Sequence, residues 1–228
     1  MLLKDEYKGK NGYSWQVAPK LMWGIKKKIM LHFNLYASNM SGGFKFNGGG
    51  IYAKYRFFSR DEVHNHFRMA AFAGYELNNN KIQEYAINLN GRNSGYEVGL
   101  IATQLRKKMA MSASASFVHA TDNINEKFLF GNKLRNAVNY TASIGRLMLP
   151  KEYISYNQTN VNLMLEFMGQ LNLYSGSSWL DMAPAVQFIF NSRARVDLGY
   201  HFALAKQLPR YSTQGALLRL EYNFFNVH

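Results

Sequence analysis

Odd positions from Tyr13 to Ile25 carry Tyr13, Trp15, Val17, Pro19, Leu21, Trp23 and Ile25, while the even positions between them carry Ser14, Gln16, Ala18, Lys20, Met22 and Gly24. An apolar residue at every second position marks a strand with one greasy face and one wet face. The run is about twice as long as an average soluble strand of roughly five or six residues, and suits a tilted crossing of a bilayer, which takes about nine to eleven.

The same period recurs along the chain. Ile29, Leu31, Phe33, Leu35 and Ala37 oppose Met30, His32, Asn34, Tyr36 and Ser38, and Ile51, Ala53, Tyr55 and Phe57 oppose Tyr52, Lys54 and Arg56. Val63, Phe67, Met69, Ala71, Ala73 and Tyr75 oppose His64, His66, Arg68 and Gly74. Further strands are read around Val98, Ala113, Tyr140, Leu163, Val186, Leu198 and Leu220. Short links at Lys26 to Lys28, Ser59 to Glu62, Arg106 to Lys108, Leu149 to Tyr156 and Asn191 to Arg193 alternate with long ones. The long links are Asn39 to Gly50, Glu76 to Ser94, His119 to Asn136, Leu171 to Ser178 and Ala205 to Gly215. Short turns on one rim and long loops on the other are the pattern of an outer-membrane barrel.

These runs supply eleven strands, and a barrel with both ends on the short-turn rim has an even number, so Met1 to Tyr7 is read as one more. The predicted fold class is all-β: a transmembrane antiparallel up-and-down β-barrel of twelve strands, with ten and fourteen as alternatives, in one domain spanning 1–228. Three further expectations attach to it. Pro19 and Pro184 lie in apolar rows and predict bulges or kinks, because proline gives up a ladder hydrogen bond. The region Ile82 to Ser94, where Tyr85, Ile87 and Leu89 alternate, is read as an extra hairpin arm or a strand extension. Gly48, Gly49 and Gly50 read as a flexible loop end, since no helix follows as a phosphate loop requires.

Composition narrows the class by what is missing. No stretch approaches the roughly eighteen uncharged apolar residues of a transmembrane helix. The chain has no cysteine, which excludes disulfides and thiolate metal sites. Aromatic content is 15%, with 15 Tyr and 16 Phe, as interfacial girdles at the edges of a lipid-facing band require. Met1 to Leu3 run straight into Lys4, Asp5 and Glu6, too short for a signal core, so the sequence is read as a form from which a signal peptide has been removed. A soluble all-β sandwich or barrel also alternates, but the length of these strands, their nearly charge-free apolar rows and the alternation of short and long links speak against it.

The runs Gly48 to Glu76, Asn93 to Leu105, Leu147 to Leu163, Phe188 to Phe202 and Leu217 to Asn226 resemble uncharacterised, transporter-like outer-membrane β-barrels of Bacteroidota. That resemblance covers nearly the whole chain and implies location in the bacterial outer membrane. It carries no assigned catalytic or binding residues.

The net charge of +13 matters through its placement. On the inward rows, Lys20, Lys54, Arg56, Arg68, Arg195 and Arg219 nearly balance Glu97, Glu166, Asp181, Asp197 and Glu221. The excess therefore sits in the turns, at Lys26 to Lys28, Arg106 to Lys108 and Arg193 among others. A basic rim beside lipid phosphates gains on the order of 1 kcal/mol per Lys or Arg. The partners implied are outer-membrane lipid and lipopolysaccharide, with other outer-membrane proteins as further candidates and no nucleic acid, for which no recognition motif exists.

In the lumen, Arg195 and Asp197 followed by Arg219 and Glu221 on the next strand, with Asp181 beside them, predict a cross-strand ion network. His64 and His66 share a face with Arg68, and His201 points inward, which makes a metal or general-base site geometrically conceivable but without an identifiable acidic partner. Ser112, Ser114 and Ser116 form an inward stripe with no nucleophile motif, better read as small polar lining. No cofactor, metal or catalytic residue is assigned. The leading function class is a passive, transporter-like pore for small polar solutes, constricted by Arg68, Arg195, Asp197, His201, Arg219 and Glu221. The alternatives are a non-conducting subunit of a larger outer-membrane assembly and an outer-membrane enzyme.

Overall fold

The computed structural model describes residues 1–5, 12–40, 42–81, 84–150, 152, 155 and 157–224. Thirteen strands follow one another: β1 (Leu2–Asp5), β2 (Gly12–Val17), β3 (Lys20–Lys26), β4 (Ile29–Ser38), β5 (Lys45–Glu62), β6 (Asn65–Asn78), β7 (Gly95–Arg106), β8 (Met109–Ala120), β9 (Asn136–Leu149), β10 (Asn160–Asn172), β11 (Ser178–Phe190), β12 (Ala194–Lys206) and β13 (Gln214–Tyr222). Among the described residues a 3-10 turn, Asn132–Arg135, interrupts the pattern between β8 and β9.

Every pairing is antiparallel, and each strand from β4 to β13 pairs with its neighbour in sequence. The sheet closes because β1 bonds to β13, with Leu2 opposite Ala216, and to β2, which meets β4 through Gln16 and Ser38. Twelve strands thus form a ring, and β3 is the thirteenth, outside it. It continues β2 along β4 in the same register: Val17 faces Ala37 and Lys20 faces Asn34. Ala18 and Pro19 make the break, as expected of a proline in an apolar row, although the Pro19 carbonyl still accepts from the Leu35 N–H at 3.0 Å. At Pro184 there is no bulge, but the β11–β12 ladder skips Ala183 and Pro184 between the pairs Met182–Phe202 and Ala185–Gly199, as a proline that gives up its ladder bond requires. The register on β12 shifts instead between Leu180 and Asp181. The first strand ends at Asp5; Tyr7 lies outside the described residues.

The two rims differ as the link lengths predicted. Links at 27–28, 63–64, 107–108, 150–159 and 191–193 lie on one, and links at 39–44, 79–94, 121–135, 173–177 and 207–213 on the other. Lys107, Asn191 and Ser192 take positive φ in the tight turns, a backbone twist that matches that of the flanking strands. Three boundaries differ from the sequence reading. The β5–β6 hairpin runs on to Glu62 and Asn65, so His64 is a turn residue with φ of 60° and is not on the lumen face. The link before β10 runs on past Tyr156, where the sequence pattern ends it, to residue 159, so Gln158 belongs to the link and not to the strand. Gly48, Gly49 and Gly50 are not a loop end but ladder residues of β5, opposite Tyr36, Leu35 and Asn34 on β4.

The outer wall is apolar. Along β7 the outward row is Tyr96, Val98, Leu100 and Ala102, with Leu100 53% exposed; along β12 it is Val196, Leu198, Tyr200, Phe202 and Leu204, with Leu198 49% exposed. The buried apolar core is small and lies at the long-loop end, where Ile87 and Leu89 pack on Val118, Ala120, Phe128 and Ala137. A barrel that turns its greasy side chains outward has little apolar matter left for its interior.

Candidate functional site

The inward rows converge on a polar lumen, and the long-loop mouth of that lumen is filled by the chain itself. Residues 84–94 of the β6–β7 link form neither a hairpin arm nor a strand extension: they fold into the mouth, with Glu84, Ala86, Ile87, Arg92 and Asn93 all buried. The segment is pinned from several sides of the ring. Gln16 on β2 donates to the Asn90 carbonyl at 2.6 Å, and Tyr36 on β4 donates to the Asn90 side chain at 3.2 Å. Asn78 at the end of β6 donates to the carbonyls of Leu89 and Asn93 at 3.0 and 2.7 Å. From β10, Gln170 accepts from the Ile87 N–H and donates to its carbonyl, both at 2.8 Å. Gly91 takes φ of +81°, and a Cβ there would come within 2.8 Å of the Tyr36 side chain, so the turn needs glycine.

Inside this plug, Arg92 and Glu84 form an ion pair whose side chains are 5% and 2% exposed. Glu84 also accepts the backbone N–H of Tyr211 from the β12–β13 link, and the Arg92 guanidinium lies 5.0 Å from the centre of the Tyr211 ring. A buried pair with further hydrogen bonds holds geometry more than it adds net stability. Gln170 passes the contact downward by donating to Asn139 at 2.7 Å, and Asn139 donates to Glu97 at 3.1 Å. Glu97 also accepts from Ser116 at 2.5 Å, so this carboxylate ties the plug to the wall.

Below the plug the predicted ion network is present on β12 and β13. Arg195 donates to Glu221 at 2.5 Å and Arg219 Nε donates to Asp197 at 2.6 Å, each across the strand pair, while Arg195 Nε lies 3.6 Å from Asp197. Asp181 does not join it. Arg210 of the β12–β13 link grips that carboxylate through two guanidinium nitrogens, one bond measuring 2.6 Å, and His201 lies 3.4 Å from it.

Arg68 and His66 sit on β6, separated from β12 by five strands in either direction around the ring. Both contact Asp61, His66 at 2.8 Å and Arg68 at 3.2 Å. The expected constriction of Arg68, Arg195, Asp197, His201, Arg219 and Glu221 is therefore three groups: a β12–β13 quartet, a triad at the short-turn rim with Asp61, and a triad under the long-loop mouth with Asp181 and Arg210. Glu166 stands apart, on the inward face of β10.

The serine stripe is engaged sideways, not with an imidazole. Ser112 lies 3.1 Å from the Thr103 hydroxyl, Ser114 lies 2.7 Å from Thr141, and Ser116 holds Glu97. This is the polar-lining geometry.

Glu76 was missed because the sequence reading ended its strand there. It is buried and accepts from Asn34 at 2.8 Å and Tyr36 at 3.2 Å. Gly50 makes room for it, since a Cβ at Gly50 would fall 2.1 Å from the Glu76 carboxylate and 2.3 Å from the Tyr75 carbonyl. The alternation Gly74, Glu76 carried one step further finds this residue. Asp61 was missed for a different reason: a bulge between Arg56 and Phe58 shifts the phase, and the doublet Phe57, Phe58 is its mark in the sequence.

A scan against models of protein families finds no match for this chain, and no curated protein matches it either.

Proposed function

We propose that this chain is an integral barrel of the bacterial outer membrane, transporter-like, whose polar lumen serves small hydrophilic solutes and is shut at the long-loop mouth by residues 84–94. What supports membrane insertion is the outward face. Leu100, Leu198, Leu163 and Val98, each about half exposed, lie mid-strand in rows without charge, while the cations gather in the short turns. Water would penalise such a surface at roughly 25 cal/mol for each Å² of it, and lipid would not. Open edges are ruled out in hydrocarbon, and a closed ring leaves the fewest. The resemblance to Bacteroidota barrels agrees with this location.

The observation that carries the solute reading is the lumen below the plug: its inward rows carry charged side chains on β5, β10, β12 and β13 and hydroxyls on β8 and β9, whereas a structural barrel of eight strands is filled by its packed side chains. The plug makes the resting state closed. Conductance of the purified barrel in a planar bilayer tests the reading, using the wild type and a variant in which residues 84–93 are replaced by a short Gly-Ser link. Rare, brief openings in the wild type and steady conductance in the variant are expected. Silence in both, with folding shown by heat-modifiable mobility, would refute the pore. The second reading, a non-conducting subunit of an outer-membrane assembly, is favoured by one observation only: the long-loop mouth is filled by a segment hydrogen-bonded to β2, β4, β6 and β10.

A further inference from the structure

Glu166 occupies the middle of β10 with Ser143 and Ala183 as its cross-strand neighbours, both too short to cover its carboxylate. It is half-buried, and among the described residues no hydrogen bond or ion pair reaches it. The cation whose field acts on it is Arg219, which is already committed to Asp197. A half-buried carboxylate left open in this way is costly for a purely structural wall.

The opposite wall has the opposite character. β4 is separated from β10 by five strands in either direction, so the two face each other across the lumen. On β4, His32 points inward. Lys20, which pairs with Asn34, and Lys54, which pairs with Met30, are its diagonal neighbours on the same face. The fields of both lysines act on His32, yet among the described residues neither lysine has an ion pair or hydrogen bond. Arg219 acts on Lys20 as well as on Glu166, which puts the two walls in one section of the lumen. Two anions act on Lys20: Glu76, which already accepts from Asn34 and Tyr36, and Glu221, which is held by Arg195.

We propose that this section binds short zwitterionic solutes with separated charges, taking an ammonium group on Glu166 and a carboxylate on Lys20 and Lys54. The inference rests on the lumen being a solute site and names its substrate class. A single amino acid is too short to engage both walls of a twelve-strand barrel, whereas each extended residue adds ~3.5 Å, so a short peptide is the fitting form. Singly charged ions satisfy one wall and leave the other bare.

Equilibrium binding to the detergent-folded barrel tests this without any requirement for conduction, so a silent bilayer does not count against it. By titration calorimetry at low salt and neutral pH, triglycine should bind the wild type. N-acetyl-triglycine, which lacks the ammonium, and acetate should each bind at least tenfold more weakly. Glu166→Gln and Lys54→Met should each weaken triglycine at least tenfold. The proposal is overturned if the folded wild type fails to bind triglycine, if acetylation leaves the affinity unchanged, if acetate binds equally well, or if a folded Glu166→Gln barrel binds like the wild type. The acetylated peptide decides the matter on the wild type should that variant not fold.

Discussion

Replacing Arg92 with Met attacks the plug at its most buried point. Glu84 and Arg92 are 1% and 4% exposed, so the substitution leaves the Glu84 carboxylate in a dry site with the Tyr211 N–H as its remaining donor in this arrangement. Breaking a buried pair from one side costs about 3–5 kcal/mol, mostly as the penalty of the stranded charge. Opening the mouth rehydrates that charge, so the cost falls on the closed state. At about 1.4 kcal/mol per factor of ten, the open population should rise roughly a hundredfold or more. The chain has no cysteine, which makes accessibility a clean readout. In a Ser116→Cys background the new thiol lies beneath the plug, where Ser116 is 7% exposed. A membrane-impermeant maleimide applied to the long-loop side should label it in proportion to the open population while opening and closing outpace the reaction. Removing both charges, with Glu84→Gln added to Arg92→Met, should return the rate close to that of the intact pair, because a neutral, well-packed substitute for a buried ion pair is often energetically equal to it. A labelling rate unchanged within twofold in folded Arg92→Met protein would show that the pair does not hold the mouth shut.

Three further expectations can be checked independently. Leu100→Arg places a charge on the outer face in the middle of β7 and should cost about 2–4 kcal/mol of folding free energy in lipid vesicles; a cost near zero would argue that this face meets water. Asp197→Ala strands Arg219, whose side chain is 51% exposed, while Arg195 keeps Glu221, so thermal unfolding should register on the order of 1 kcal/mol and not the larger cost of a fully buried charge. Outside the strands, the hydrogen bond from Arg135, with help from the Phe128 N–H, holds the Asp122 carboxyl below the usual carboxylate range. A lowered folded value means that the stabilisation is fully present above the ordinary pKa of about 3.9 and is lost as pH falls through the lowered value. Hydrogen exchange at the Phe128 amide should therefore quicken at that acid end, and Asp122→Asn should remove the step.

How much of this was legible in the sequence depended on whether the signal was local. Strand phase was, because a period of two sustained over ten residues leaves one arrangement with the apolar row outside, and a slip of one residue would reverse every side chain. So a cross-strand ion network among Arg195, Asp197, Arg219 and Glu221 could be expected from the sequence, but not its individual pairs, which depend on register, nor the loss of Asp181 to Arg210. Local exceptions to the period carried information too: Phe57 and Phe58 side by side mark the bulge that brings Asp61 inward to His66 and Arg68.

The plug was illegible for the opposite reason. Tyr85, Ile87 and Leu89 alternate as a strand does, but Ile87 is held by Gln170, eighty-three positions away, and its apolar neighbours Val118, Phe128 and Ala137 come from two other strands and a loop. Nothing in the local pattern separates a strand that needs a hydrogen-bonded neighbour from an irregular segment whose backbone groups are met one by one by Gln16, Asn78 and Gln170. What the sequence does hold is a composition unsuited to a free-standing arm: Asn88, Asn90, Asn93 and Gly91 interleave the apolar residues with side chains that bond backbone and a residue that turns freely. Such a segment cannot form its own sheet, and a lumen ringed by amide and carboxylate groups is where its polar groups are satisfied. The closed mouth and the polar wall thus require each other, since an apolar interior would have left the carbonyls of Ile87, Leu89 and Asn90 without donors.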